Sequence, residues 1–363
     1  MVNYQPHQQM NTLLMEQPKT MLPTGHGFSF WSKTYRSRAN ACILRHLNYI
    51  IPRQPVIIYE AKDWAGALKN FHTSYSIQVL LRRVAFVSAY SIVLTLIDRH
   101  VFKIDVPFDG TLFSLLGITL SLLLVFRTNT AYDRFWEGRR QWGTLVNYSR
   151  NLAVLLDALL PDNATANRLY FARILSNFAL ALKGHLRSGV DFAELDELDD
   201  EASQTLAKYS HVPSRIAALM LRRIQVLHQD NIVSDADLIT IRLYHQALLD
   251  VTGSCERIRK TPIPFSYSFF IKLFITIYVL LVPLLLVETY GYFAILATTL
   301  TAYALIGIEM IGDEIEEPFG LDCNDLPLNQ IAQTIRRNMH EILGVVPSVV
   351  TVPKPEADFI KVN

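Results

Sequence analysis

From Gly110 to Phe126 the chain carries no charged residue, and at Arg127 it turns abruptly into RTNTAYDRFWEGRRQWG, a run of cations, anions and indole rings. A helix that changes in this way from hydrocarbon to mixed charge is leaving a lipid bilayer for water. Backbone inside lipid must satisfy its own hydrogen bonds, which a helix does within one segment.

Three further apolar segments favour helices. Thr289 to Ile308, TYGYFAILATTLTAYALIGI, is charge-free and reaches the roughly 20 residues that a hydrocarbon core of about 30 Å requires. Leu273 to Val287 holds Pro283, gains length from the aromatic residues between Phe265 and Phe270, and places Lys272 where it can snorkel. Val84 to Ile97 follows Arg82 and Arg83, as Gly110 to Phe126 follows Asp105, Pro107 and Asp109. Spans are therefore expected at about 77–98, 110–126, 266–287 and 289–311. Buried helices of a soluble protein are the competing reading. Two apolar hairpins at opposite ends of the chain, each with a short polar turn, favour the membrane.

An even number of spans puts both termini on one side. Lys33, Arg36, Arg38, Arg45, Arg82 and Arg83 precede the first span and many more cations lie between Arg127 and Lys260, whereas the opposite turns carry only Arg99 and Lys103. Both termini and the region 127–265 are expected in the cytosol, and the spans in the plasma (inner) membrane.

Composition agrees with a mixed molecule, since half of the 363 residues are hydrophobic and the mean hydropathy is +0.21. The net charge of +1, with no basic stripe, excludes a nucleic-acid partner. Cys42, Cys255 and Cys323 are odd in number and widely spaced, which argues against a disulfide framework or a zinc ribbon. Met1 to Thr24 is polar and unlike a secretory signal.

The middle of the chain reads as helical. Apolar residues recur three and four apart at Leu152, Leu155, Leu156 and Leu159, and again at Ile216, Leu219, Met220, Ile224 and Leu227. Breaks are expected at Pro161, Gly189 and Pro213, and the acidic run Asp191 to Glu201 as a solvated connection. Pro262 and Pro264, one residue apart, stop the last cytosolic helix and form an elbow before the third span.

Glu309, Asp313 and Glu316 share one helical face, which suits either a hard cation or a solvated surface paired with arginines elsewhere. Histidines 185, 211, 228 and 245 fit no HExxH or ExxH spacing and read as structural. No GxSxG, Walker A or GxGxxG sequence is present, so an enzyme is not expected.

Three stretches resemble the bestrophin family of ion channels, particularly its bacterial and plant-type branch. They are Phe113 to Gly143, Gly253 to Tyr267 (GSCERIRKTPIPFSY) and Asp313 to Met339, with Tyr132, Arg134, Trp136, Glu137, Pro262 and Pro264 as signature residues. The resemblance runs from about Trp31 to Leu343. It implies an all-α, four-span channel domain over 31–343, between a disordered cytosolic tail, 1–30, and a C-terminal tail, 344–363. It also implies a homopentamer whose partners are its own copies, the lipid bilayer and small inorganic ions, around a central pore with a wide cytosolic vestibule.

Under that resemblance Ile118, Leu122 and Phe126 would form an apolar neck, and their four-residue steps do place them on one stripe. Core packing is the competing reading of the same stripe. Gly117 would let helices approach closely, and Arg127 would either attract anions or pair with Asp133 or Glu137. At the cytosolic aperture, where relatives often carry a branched apolar residue, this chain has Ala236. No cofactor is required by the resemblance. Calcium-gated relatives carry a near-continuous acidic run after Pro-Phe-Gly, and here only Asp322, Asn324 and Asp325 remain as a thinned calcium ligand set. The expected function is passive conduction of chloride or a similar small anion. A monovalent-cation channel of the same fold, or a membrane-anchored scaffold or metal-binding protein using Glu309 to Glu317, is the alternative.

Overall fold

The computed structural model describes residues 56–59, 75–101, 103, 110–197, 206–322, 324–345 and 359–362. The expected N-terminal tail, the basic residues from Lys33 to Arg45, Cys42, Cys323 and the acidic residues of the first hairpin turn lie outside them. Eight α-helices occur among the described residues. They are α1 (Tyr75–His100), α2 (Gly110–Leu159), α3 (Thr165–Leu186), α4 (Val212–Gln229), α5 (Asp235–Lys260), α6 (Phe265–Tyr290), α7 (Phe293–Glu316) and α8 (Leu328–Ile342). A short antiparallel ribbon pairs β1 (Val56–Tyr59) with β2 (Phe359–Val362), the latter within the segment expected as a tail.

Helices α1, α2, α6 and α7 are long and apolar enough to cross a bilayer. The second span does not stop at the boundary. Nothing between Arg127 and Leu159 breaks a helix, so α2 runs through as 50 residues, about 75 Å at 1.5 Å per residue. The fourth span starts at Phe293 rather than 289, because Gly291 takes a left-handed φ of 55° and its N–H closes α6 on the Val287 carbonyl at 3.0 Å.

In the apolar half α7 packs on α1, α2 and α6, around a core that includes Val87, Leu120, Leu124 and Ile275. In the polar half α3 is surrounded by α4, α8 and α2 and buries almost every residue from Tyr170 to Leu186. Because so little of it meets water, its buried polar groups need protein partners, as Asn177 and Lys183 have. Trp142, Leu152, Phe178 and Met220 belong to the same core. Ile216, Leu219, Met220, Ile224 and Leu227 are all buried, as their periodicity requires, and Leu152 and Leu156 are buried with Leu155 and Leu159 half-buried beside them.

Two expected features differ. Pro213 does not interrupt a helix but sits in the first turn of α4, where its missing N–H costs nothing. The acidic connection is not simply solvated. Glu194 pairs with Lys183 and Asp196 with Arg336, while the Asp196 N–H donates to Asn177 Oδ1 at 2.7 Å. These residues face cations on α3 and α8, which sequence proximity does not reveal.

Close approach explains one glycine. A Cβ on Gly138 would lie 3.0 Å from Pro318 Cγ and 3.2 Å from the Phe319 ring, which seats the Pro-Phe-Gly turn against α2. Gly138→Ala is expected to destabilise the protein by about 1 kcal/mol and Gly138→Val by about 3 kcal/mol. Chemical unfolding in detergent measures both.

Candidate pore helix and the ion pairs that frame it

Along the apolar half of α2 the two faces differ sharply. Ile118, Leu122 and Phe126 are 67%, 55% and 56% exposed, whereas Leu120 and Leu124 are 0% and 2%. The protomer therefore uses one side of α2 for its own core and leaves the other uncovered. At about 100° per residue that open stripe continues past the boundary through Asp133, Trp136 and Arg140, all exposed. Gly117 lies beside it against α6, where a Cβ would meet Tyr278 Oη at 2.5 Å. In the protomer the close approach at Gly117 is thus to a side chain of the third span.

Arg127 points the other way. It lies about 140° around the helix from Leu122, is 1% exposed, and donates from Nη1 to Glu309 Oε1 at 3.1 Å and from Nη2 to Asp313. Glu316 Oε2 is 3.9 Å away. The expected pairing with Asp133 or Glu137 does not occur, because those carboxylates leave α2 on other sides of the helix. Lys272 joins the same group, 2.6 Å from Asp313 and 3.4 Å from Glu309, and Arg83 stands 4.0 Å from Glu309. The acidic face of α7 is thus occupied by the protein's own cations from α1, α2 and α6.

The signature residues Arg134, Glu137, Pro262 and Pro264 meet at the elbow. α5 ends at Lys260, and its last carbonyls would be orphaned. Arg134 collects them, donating from Nη2 to the Ile258 carbonyl at 2.7 Å, from Nη1 to Thr261 and from Nε to the Glu316 carbonyl at 3.1 Å. The Ile263 N–H, between the two prolines, donates to Glu316 Oε1 at 2.8 Å. Glu137 receives Arg257 Nη2 at 3.1 Å. Tyr132 and Trp136 stand outward from α2, both exposed.

Two residues of the thinned calcium set already have protein partners. Asp325 Oδ2 accepts the Asp322 N–H at 2.6 Å, while Asn324 Nδ2 donates to Glu314 Oε2 at 2.6 Å. Asp325 is buried in the turn after Gly320, and this burial pushes its carboxyl up to about 8, so that it is protonated at neutral pH and a poor ligand. A carboxyl whose folded value lies above its unfolded value of about 3.9 binds more protons when folded. Its contribution is complete below about 3.9 and is lost as the pH climbs towards about 8. Asp325→Asn is therefore expected to equal the parent only below about pH 4 and to gain on it as the pH rises, exceeding its stability by at least about 1 kcal/mol at pH 8.5. Melting curves across that range decide it. Ala236 lies in the first turn of α5 and is exposed, inside the capping box made by Ser234 and Asp237.

One cluster has no sequence signature. His185 near the end of α3, His211 at the N-cap of α4 and Glu256 on α5 bring their side chains together. Both Nε2 atoms reach Glu256 Oε1, at 2.8 Å and 2.6 Å, and Lys260 Nζ holds Oε2 at 2.9 Å. Burial pushes the Glu256 carboxyl up, but the hydrogen bonds from Lys260, His211 and His185 outweigh it and hold the group at about 2. Burial likewise keeps His185 below its ordinary value. Neighbouring Cys255 is buried, and that burial, with Glu137 and Glu256 nearby, pushes its thiol up to about 12.

Comparison with known proteins accords with this architecture. A sequence profile described as "Bacterial/Fungal Bestrophin protein" matches residues 57–341. A voltage-dependent anion channel-forming protein of Synechocystis sp. is 36% identical over 288 residues, covering 78% of this chain and 93% of the relative. A protein of the same name from Nostoc sp. is 36% identical over 277 residues, covering 75% of this chain and 90% of that one. Among solved structures, a bacterial bestrophin homolog from Klebsiella pneumoniae, determined by Zn-SAD phasing, superposes with a TM-score of 0.69 at 29% identity. That match covers 74% of this chain and 99% of that one. With the profile spanning most of its length and four apolar helices in the matching arrangement, this chain belongs to the bacterial and fungal bestrophin family.

Proposed function

We propose that five copies of this chain surround one pore in the plasma membrane, with both termini cytosolic, and that chloride or a similar small anion passes through it passively. The observation that carries this reading is the uncovered stripe of α2, Ile118, Leu122 and Phe126, backed by buried Leu120 and Leu124. Lipid covers apolar side chains as readily as protein does, so the support for a lumen is that this stripe runs on without a break into exposed Asp133, Trp136 and Arg140, together with the family match. In a ring of five these side chains make a neck that gates by dewetting, since a dehydrated ion finds no oxygen there. Arg127, neutralised by Glu309 and Asp313, frames this neck from behind and offers it no free cation. Ala236 at the exposed start of α5 lines the cytosolic aperture with a small methyl ring. The anion preference is taken from the relatives named anion channel-forming proteins.

Purified protein in liposomes under a bi-ionic gradient tests the reading. A reversal potential near that of chloride is expected. A reversal near the cation's potential replaces the anion with the cation reading, and absence of any current favours a scaffold. Because Asp325 and Asn324 are engaged by protein groups, currents are expected to persist when calcium is chelated; loss in chelator with recovery in micromolar Ca²⁺ would contradict this.

A further inference from the structure

We propose that His185, His211 and Glu256 form a binding site for a divalent transition-metal ion of the zinc class, one turn before the elbow that joins α5 to the third span. The donors come from three separate elements, and one ligand atom of each lies within 4.8 Å of the others. Two imidazoles and one carboxylate, with a further position left for water, are a donor set that zinc accepts, and the imidazoles disfavour hard cations such as Ca²⁺ or Mg²⁺. An ion there would staple the end of α3 and the start of α4 to α5, replacing the hydrogen bonds by which His185 and His211 now hold Glu256.

The present geometry requires a small adjustment. Both histidine nitrogens stand 2.6 and 2.8 Å from the same carboxylate oxygen, whereas metal bonds of about 2.0–2.1 Å in a tetrahedron put donors about 3.3 Å apart. The three side chains are part-exposed and can open by that amount. The ligands suit neutral pH, with Glu256 held ionised and His185 held neutral. Two features oppose the ion. His211 Nδ1 accepts the Ser214 N–H at 3.2 Å, and a neutral imidazole bound through Nε2 must carry its proton on Nδ1, so the helix cap is surrendered on binding. Lys260 places a cation on the other oxygen of Glu256, although its exposed ammonium is free to swing into solvent. Cys255, buried and protonated, is not the fourth ligand.

The test is a Zn²⁺ titration of the full-length chain in detergent, stripped with chelator, competed against a chromophoric chelator, with Co²⁺ absorption reporting the ligand set. One ion per chain is expected. His211→Asn removes a ligand while keeping an N-cap residue, and Glu256→Gln removes the charge; each is expected to weaken binding at least tenfold. Lys260→Gln is expected to tighten it about fivefold, as removal of a nearby cation in water does, a gain that misfolding cannot imitate. Parent-like affinity in both His211→Asn and Glu256→Gln, or no binding by the parent at sub-millimolar Zn²⁺, overturns the proposal.

Discussion

Arg127→Ala is expected to destabilise the protein by about 3–5 kcal/mol, the range for breaking a buried ion pair from one side. The guanidinium is 1% exposed and faces Glu309, itself 5% exposed, together with Asp313 and Glu316. Without it, Glu309 and Asp313 keep Lys272 and Arg83 as their cations among the described residues, both about half exposed, and Glu316 keeps only the Ile263 N–H. Arg127→Lys should recover part of the loss, because one ammonium cannot reach Glu309 and Asp313 with separate nitrogens as the planar fork does. Denaturant unfolding in detergent gives both numbers. An alanine variant as stable as the parent would mean that these acids are solvated or protonated, and the frame behind α2 would have to be sought elsewhere.

Leu122→Ala and Leu120→Ala should separate conductance from stability on a single helix. Leu122 is 55% exposed in its protomer, so its truncation removes little packing there and widens the proposed neck, raising single-channel current severalfold while leaving unfolding nearly unchanged. Leu120, 0% exposed and packed in the apolar core, should instead lose about 2–5 kcal/mol on truncation. Its surviving folded channels should carry the parent's current. If Leu122→Ala conducts like the parent while Leu120→Ala conducts more, the stripe has been assigned to the wrong face.

What was legible in the sequence followed from local physics. Charge-free runs, one of span length and three shorter, mark four helices because lipid admits few alternatives, and the double proline ends α5 wherever the rest of the chain lies. Partners distant in sequence were not legible. Arg127 had Asp133 and Glu137 within ten residues, yet helix geometry turns those away and its carboxylates come from α7, 182 or more residues further on. The histidine cluster failed for the same reason, its members separated by 45 and 71 residues from Glu256 on three elements, so that no spacing rule applies. The abrupt change from apolar to charged side chains at Arg127 does not end the helix. Only a breaker does, and α2 meets none before Pro161.

The unbroken course of α2 makes it a lever. With Arg127 gripped by α7, Leu122 lies about 7.5 Å above the fulcrum and Leu159 about 48 Å below it, at 1.5 Å per residue. The arms differ by a factor of about six. A displacement of about 2 Å at the far end, about the slide of one packed helix past another, then moves Leu122 by only about 0.3 Å. Such gearing converts coarse movements in the polar half into fine displacements of the stripe formed by Ile118, Leu122 and Phe126.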